Sequence, residues 1–181
     1  MCPRMCPRIC RTIPLDHSCS RVYLAALSRH SKPTVALVAT EYDVNSPAVS
    51  PDSRWLAYVS NESGRYEVYV CPFPNTNDGR WLVSTAGGSE PVWAHSGTEL
   101  FYKGSGNLMS VEVLPGPIFV TGERRALFST QGFRSSRTHQ QYDVMPDDQR
   151  FVMIRNLGGQ EASELIVVEN FFEELKAKVG N

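Results

Sequence analysis

The sequence predicts an all-β fold, a partial β-propeller of about three and a half four-stranded blades followed by a short C-terminal helix. Three observations carry that expectation. From about residue 21 onward, short runs rich in Val, Tyr, Trp and Phe alternate with clusters of Gly, Pro, Asn, Asp and Ser, the pattern of many short strands separated by turns. Those runs are periodic: Ala36-Leu37-Val38-Ala39-Thr40, Trp81-Leu82-Val83-Ser84-Thr85 and Ala126-Leu127-Phe128-Ser129-Thr130 stand 45 residues apart both times. A second strand keeps the same beat, as Val22-Tyr23-Leu24, Val68-Tyr69-Val70, Val111-Glu112-Val113 and Ile166-Val167-Val168. A period of about 40 to 45 residues that carries four strands is the signature of a propeller blade.

The third observation is a turn that feeds an apolar strand. It runs from Pro47 through Ser50-Pro51-Asp52-Ser53-Arg54 to Trp55-Leu56-Ala57-Tyr58, and recurs from Pro91 to Tyr102 and from Val144 to Met153. Its spelling has a local cause: Pro sets φ at the first turn position, Asp bonds backbone amides inside the turn, and a small residue relaxes the left-handed position that follows. Ser50, Pro51, Asp52, Trp55, Trp93, Gly97, Pro146 and Asp147 are therefore the expected structural blade motif. Gly97 is the one glycine at the left-handed position, so the turns carrying Ser53 and Asp148 are expected to be strained. Blades are placed at about 21–45 (incomplete), 46–88, 89–131 and 139–168, with the helix at about 169–179.

Composition narrows the function classes. The chain has 181 residues, 41% hydrophobic and 20% charged, and 18 basic against 19 acidic residues give a net charge of −1. No global field draws it to nucleic acid, and none is expected as a partner. No stretch approaches the roughly 20 apolar residues of a spanning helix, so no membrane segment is expected in this chain. Of the 5 cysteines, Cys2, Cys6, Cys10 and Cys19 crowd the start at spacings that match neither a zinc ribbon nor a redox dithiol. With Pro3, Pro7 and Pro14 and the repeated Met-Cys-Pro-Arg, residues 1–20 are expected to be a disordered or non-native leader; they lack the apolar core of an export signal.

Chemistry-bearing motifs are sparse. There is no G-x-S-x-G elbow, and Gly87-Gly88-Ser89 is read as the loop before a blade. There is no phosphate loop; Gly104-Ser105-Gly106-Asn107 falls where a hairpin turn is due. Kinase glycine-rich, H-R-D and D-F-G signatures are lacking, so the chain is not expected to transfer phosphate. His17, His30, His95 and His139 have no paired spacing for a metal, and Asp147-Asp148 and Glu173-Glu174 are assigned to a turn and to the polar side of the terminal helix. No catalytic residue, metal or cofactor is expected. The aromatic residues Trp55, Tyr58, Trp81, Trp93, Phe101 and Tyr102 are expected to fill the packing between blades. Arg124, Arg125, Arg134 and Arg137 form a basic cluster around the Gly/Ser/Thr-rich loop 129–139, and Arg134 and Arg137 are the candidate contacts to an anion or acidic partner.

Ser50-Pro51-Asp52-Ser53-Arg54-Trp55-Leu56-Ala57-Tyr58 resembles the blade motif S-P-D-G-(R/K)-x-(L/I)-A-(Y/F) of the TolB-type, WD-repeat-like β-propeller repeats, with Ser53 in place of Gly. The stretch from Ser46 to Pro74, Gly87-Gly88-Ser89-Glu90-Pro91-Val92-Trp93 and Asn170-Phe171-Phe172-Glu173-Glu174-Leu175 look like the C-terminal propeller behind many bacterial serine/threonine protein kinases. The resemblance implies a non-catalytic interaction or sensing module, periplasmic or at the cell surface, whose loops carry recognition. Three and a half blades fall short of the four to eight that close a ring. Upstream blades are therefore expected to be missing, and the open blade faces to favour self-association. The alternative is the substrate-gating propeller of a prolyl-oligopeptidase-like hydrolase without its catalytic domain.

Overall fold

The computed structural model describes residues 21–24, 35–136, 138–155 and 164–168. Every regular element among them is a strand. The expected leader and the expected helix at 169–179 lie outside the described residues, as does Arg137.

Strands β1 (Val22–Leu24) and β2 (Val35–Val38) form an antiparallel pair. β3 (Val44–Val49), β4 (Trp55–Ser60), β5 (Glu67–Pro72) and β6 (Trp81–Leu82) form a first four-stranded sheet in chain order. β7 (Ser89–Trp93), β8 (Glu99–Gly104), β9 (Asn107–Leu114) and β10 (Val120–Ser129) form a second, and β11 (Tyr142–Val144), β12 (Phe151–Arg155) and β13 (Glu164–Val168) a three-stranded third. All pairings are antiparallel, and β3, β7 and β11 each end their own sheet. These first strands also approach one another across sheets, β3 against β7 and β7 against β11. The result is a propeller-type arc of meander blades with the first strands innermost.

The repeated turn has one geometry three times. Ser50 N donates to Trp55 O at 2.9 Å, Ala94 N to Glu99 O at 2.9 Å and Met145 N to Arg150 O at 2.8 Å. At the fourth position the backbone is left-handed in each, with φ of 57° at Ser53, 73° at Gly97 and 55° at Asp148. The left-handed position that the sequence implies is present whether or not glycine occupies it, and two turns hold side chains in a conformation that L-residues avoid. The turn between β8 and β9 also fits its spelling: Ser105 at φ 52° and Gly106 at φ 74° give the two successive positive φ values of a type I′ hairpin.

Strand alternation decides what each blade buries. In β4, Leu56 and Tyr58 face the β1–β2 pair, whereas Ala57 and Val59 face the second sheet. In β8, Leu100 and Tyr102 face back to the first sheet, and Phe101 faces the third, where Phe151 and Met153 of β12 meet it. Leu56, Leu100 and Phe151 hold the same place in three successive repeats and are all but fully buried. Each such side chain stabilises the fold by roughly 1.5 to 3 kcal/mol relative to an exposed one.

Candidate functional site

The first strands of the three sheets converge on a cleft of about 640 Å³. Ala48 and Val49 come from β3, Pro91 to Trp93 from β7, and Tyr142 and Asp143 from β11, with Val152 and Ile154 of β12 closing one side. Its wall is mainly aliphatic, and its rim carries Gln140, Gln141 and His95. Val49 is 45% exposed, unusual for a valine in a sheet, because it opens into this space.

Beside the cleft lies a buried polar network. Glu90, at the bulge of β7 with φ 54°, is fully buried, and its carboxylate meets Lys103 Nζ at 3.2 Å from both oxygens. It also accepts hydrogen bonds from Ser135 Oγ at 2.8 Å, Ser136 N at 3.0 Å and Gln141 N at 2.7 Å. Lys103 Nζ donates further to the Arg134 carbonyl at 2.6 Å, and the Tyr142 hydroxyl donates to the Glu90 carbonyl at 2.8 Å. One ion pair thus clamps both ends of the loop from Arg134 to Gln141 over β7. Burial pulls the Lys103 ammonium below its usual range, and Glu90 gives back only part of that loss. Burial, then the charges of Glu90 and Asp143, push the Tyr142 phenol well above its usual range, so it stays a donor.

A second contact ties adjacent turns. Asp148 reaches from the third repeat to the second, accepting from His95 N at 2.7 Å and Ser96 N at 2.8 Å, with His95 Nδ1 at 3.1 Å. Burial pushes the Asp148 carboxyl up, but these hydrogen bonds outweigh it and hold the group below the usual carboxylate range. At the equivalent place one repeat earlier there is only close packing, of Gly97 near Pro51.

The residues expected to form the blade motif are distributed as follows. Ser50 is buried and its Oγ accepts from Trp55 N at 2.9 Å while donating to Asp52 Oδ1 at 2.6 Å; Asp52 in turn accepts from Arg54 N. Asp147 does the same inside its own turn, accepting from Gln149 N at 3.0 Å, with Arg150 Nε at 2.8 Å. Pro51 borders the cleft, whereas Pro146 is exposed outside it. Trp55 packs in the seam between the first and second sheets, and Trp93 joins that seam to the cleft, its Nε1 donating to Ala48 O at 3.0 Å. Of the candidate loop contacts, Arg134 has an exposed side chain and is fixed by its backbone, its N–H donating to Ile154 O at 2.7 Å.

Glu90, Lys103, Asp143 and the reach of Asp148 were not singled out by sequence. A signal existed: when the repeats are overlaid on their turns, Glu90 and Lys103 fall where the first sheet has Ser46 and Val59. Two charges of opposite sign, one in the bulge of β7 and one on the facing strand, mark a departure from the repeat. Elsewhere, burial pushes the Cys71 thiol up to about 12, leaving it an inert core group. No group of three metal-ligating side chains occurs among the described residues.

No protein-family model matches the chain. A stretch of 63 residues is 40% identical to a dipeptidyl aminopeptidase BI of Pseudoxanthomonas mexicana, covering 34% of this chain and 9% of that protein. Among solved structures, a putative TolB from Agrobacterium tumefaciens superposes with a TM-score of 0.56 at 10% identity, over 87% of this chain and 55% of that one. A nidogen/laminin complex gives 0.57 at 10% identity over 82% and 54%, and a prolyl endopeptidase 0.51 at 10% identity over 83% and 26%. The chain thus spans about half of the TolB-like structure and a small part of the peptidase. At these identities the likeness is one of architecture: the chain has the blade fold of TolB-like β-propeller proteins.

Proposed function

We propose that this chain is a non-catalytic recognition module, the portion of a TolB-like propeller that presents a binding cleft at its inner strands, attached in its parent protein to a bacterial serine/threonine kinase. The observation that carries this reading is the aliphatic cleft where β3, β7 and β11 converge, with a loop clamped at its edge. Ligand sites are concave, mostly apolar and provided with a few placed polar groups, and this one has that composition. Its ionisable neighbours Glu90, Lys103 and Asp148 are engaged by protein partners, which favours binding over bond-making chemistry. Self-association belongs to the same reading, since Tyr23 and Val35 of the β1–β2 pair are about half exposed.

The test is binding of an unbiased pool of short peptides and metabolites to the purified chain, read by ligand-observed NMR. Binding that is lost in Val49→Glu and kept in Ile118→Glu, a substitution on the distant β9–β10 hairpin, is the expected result. Binding unaffected by Val49→Glu, or turnover of a bound compound, overturns the reading.

The 63-residue stretch that is 40% identical to a dipeptidyl aminopeptidase favours a second reading, the substrate-gating propeller of a prolyl-oligopeptidase-like hydrolase. Peptide mapping of the native protein separates the two: kinase peptides upstream support the first, hydrolase peptides support the second.

A further inference from the structure

Among the described residues, the cleft carries one carboxylate with no basic partner. In β11, Tyr142 and Val144 turn into the core shared with the second sheet, so Asp143 between them turns the other way. It is paired directly with Val152 of β12, and Ile154 lies two residues on, on the same face. Among the described residues that line the cleft, Asp143 is the one carboxylate, and none is a lysine or arginine. Its Oδ1 accepts from Val144 N at 2.9 Å, which fixes the side chain. Among the described residues the carboxylate makes no other hydrogen bond or ion pair. The neighbouring acids differ: Glu90 is neutralised by Lys103, and Asp148 is consumed by the turn that carries His95.

An exposed anion beside two half-buried aliphatic side chains fits a group that is apolar along its length and positive at its tip. Lysine and arginine side chains are built that way. β7 and β11 each end their sheet, so an extended chain can lie along the cleft between them, held by side-chain contacts. Resting on the recognition reading above, we infer that the cleft takes a peptide segment of apolar residues bearing a lysine or arginine, whose stem lies along Val152 and Ile154 and whose charge meets Asp143. Val49 and Val92 receive the flanking apolar side chains.

The test is fluorescence anisotropy with three labelled peptides of identical apolar sequence that carry a lysine, a glutamine or a glutamate at one central position. The lysine peptide is expected to bind about five- to tenfold tighter than the glutamine peptide at low salt, and the preference to shrink as salt is added. Asp143→Asn abolishes the preference, Asp143→Lys turns it towards the glutamate peptide, and Glu123→Gln, an exposed acid on β10, leaves it unchanged. Equal binding of the lysine and glutamine peptides, or a preference that survives in Asp143→Asn, overturns this inference and leaves the recognition reading standing. Binding of no peptide of any charge overturns the recognition reading and this one with it. Competition by butylammonium as strong as by the peptide overturns the assignment to a peptide, and so does displacement of the peptide by a second copy of the chain as protein concentration rises.

Discussion

The two seams between sheets are built from the same repeat and held by different physics. The seam between the β3–β6 and β7–β10 sheets has an aromatic centre, with Trp93 Nε1 donating to the Ala48 carbonyl and Arg124 to the Val83 carbonyl across it. Phe119 sits among Trp55 at 5.3 Å, Trp81 at 5.6 Å and Trp93 at 6.5 Å between ring centroids, over a floor of valines. The seam between the β7–β10 and β11–β13 sheets keeps an apolar centre, with Phe101 and Phe151 edge to face at 4.9 Å. To this it adds the Glu90–Lys103 pair and the Asp148 latch. Where the first repeat places Ser46 and Val59, the second places a carboxylate and an ammonium. Both seams bury apolar area and both are crossed by hydrogen bonds, and the second adds a buried ion pair that fixes a loop at the edge of the cleft.

The strongest way to break this contrast is to remove one partner of the buried pair. Lys103→Met leaves Glu90 as an uncompensated buried charge and is expected to cost about 4 kcal/mol, read as a shift of the denaturation midpoint. Restoring the first repeat's choice in the double variant Glu90→Ser with Lys103→Val is expected to recover most of that stability. The loop 134–141 then loses its anchor and becomes susceptible to limited proteolysis. If the double variant is as unstable as the single one, the two seams do not differ as described.

Phe119→Ala tests the aromatic seam and is expected to cost about 3 kcal/mol, because three indoles lose the ring that joins them. The loss comes without any change in proteolysis of the loop 134–141, whose described ends, Arg134 to Ser136 and Gln141, are held at the other seam. Asp148→Ala is a smaller break, on the order of 1 kcal/mol at neutral pH. The folded Asp148 carboxyl titrates below its unfolded range, so its contribution is present above the unfolded pKa and is lost as pH falls through the folded one. Wild type and Asp148→Ala are therefore expected to differ in stability at neutral pH and to converge in acid, below the ordinary aspartate range. Denaturation curves across that range check it.

The smallest effect sharpens the contrast most finely. Ser53→Gly relieves a left-handed residue that bonds nothing outside its own turn, and is expected to stabilise by several tenths of a kcal/mol up to about 1. Asp148→Gly makes the same backbone change in the third repeat and is expected to destabilise, since the latch to His95 and Ser96 goes with the side chain. Equal signs for the two substitutions would remove the distinction between the seams.

Much of the architecture was legible in the residues because its causes are local. The turn spelled by Ser50-Pro51-Asp52 closes on its own backbone, Asp147 repeats that closure, and the apolar run Trp55-Leu56-Ala57-Tyr58 that follows the turn is a strand. The aromatic residues were legible as packing for the same reason: a repeated bulky residue is what one blade must offer the next. The binding face was far less legible. Arg134 stood out as a cation in a polar loop, yet its backbone carries the structural role, through Lys103 and Ile154, and its side chain stays in solvent.

The sequence by itself determined the class of fold, the period and the place of each tight turn, because turn chemistry and strand alternation act within a few residues. Only the tertiary structure decided that Glu90 and Lys103 form a pair, that Asp148 serves a turn 53 residues away, and that Asp143 lines the cleft. Those outcomes depend on which sheet lies against which, and no spacing along the chain encodes the distance between side chains brought together by packing.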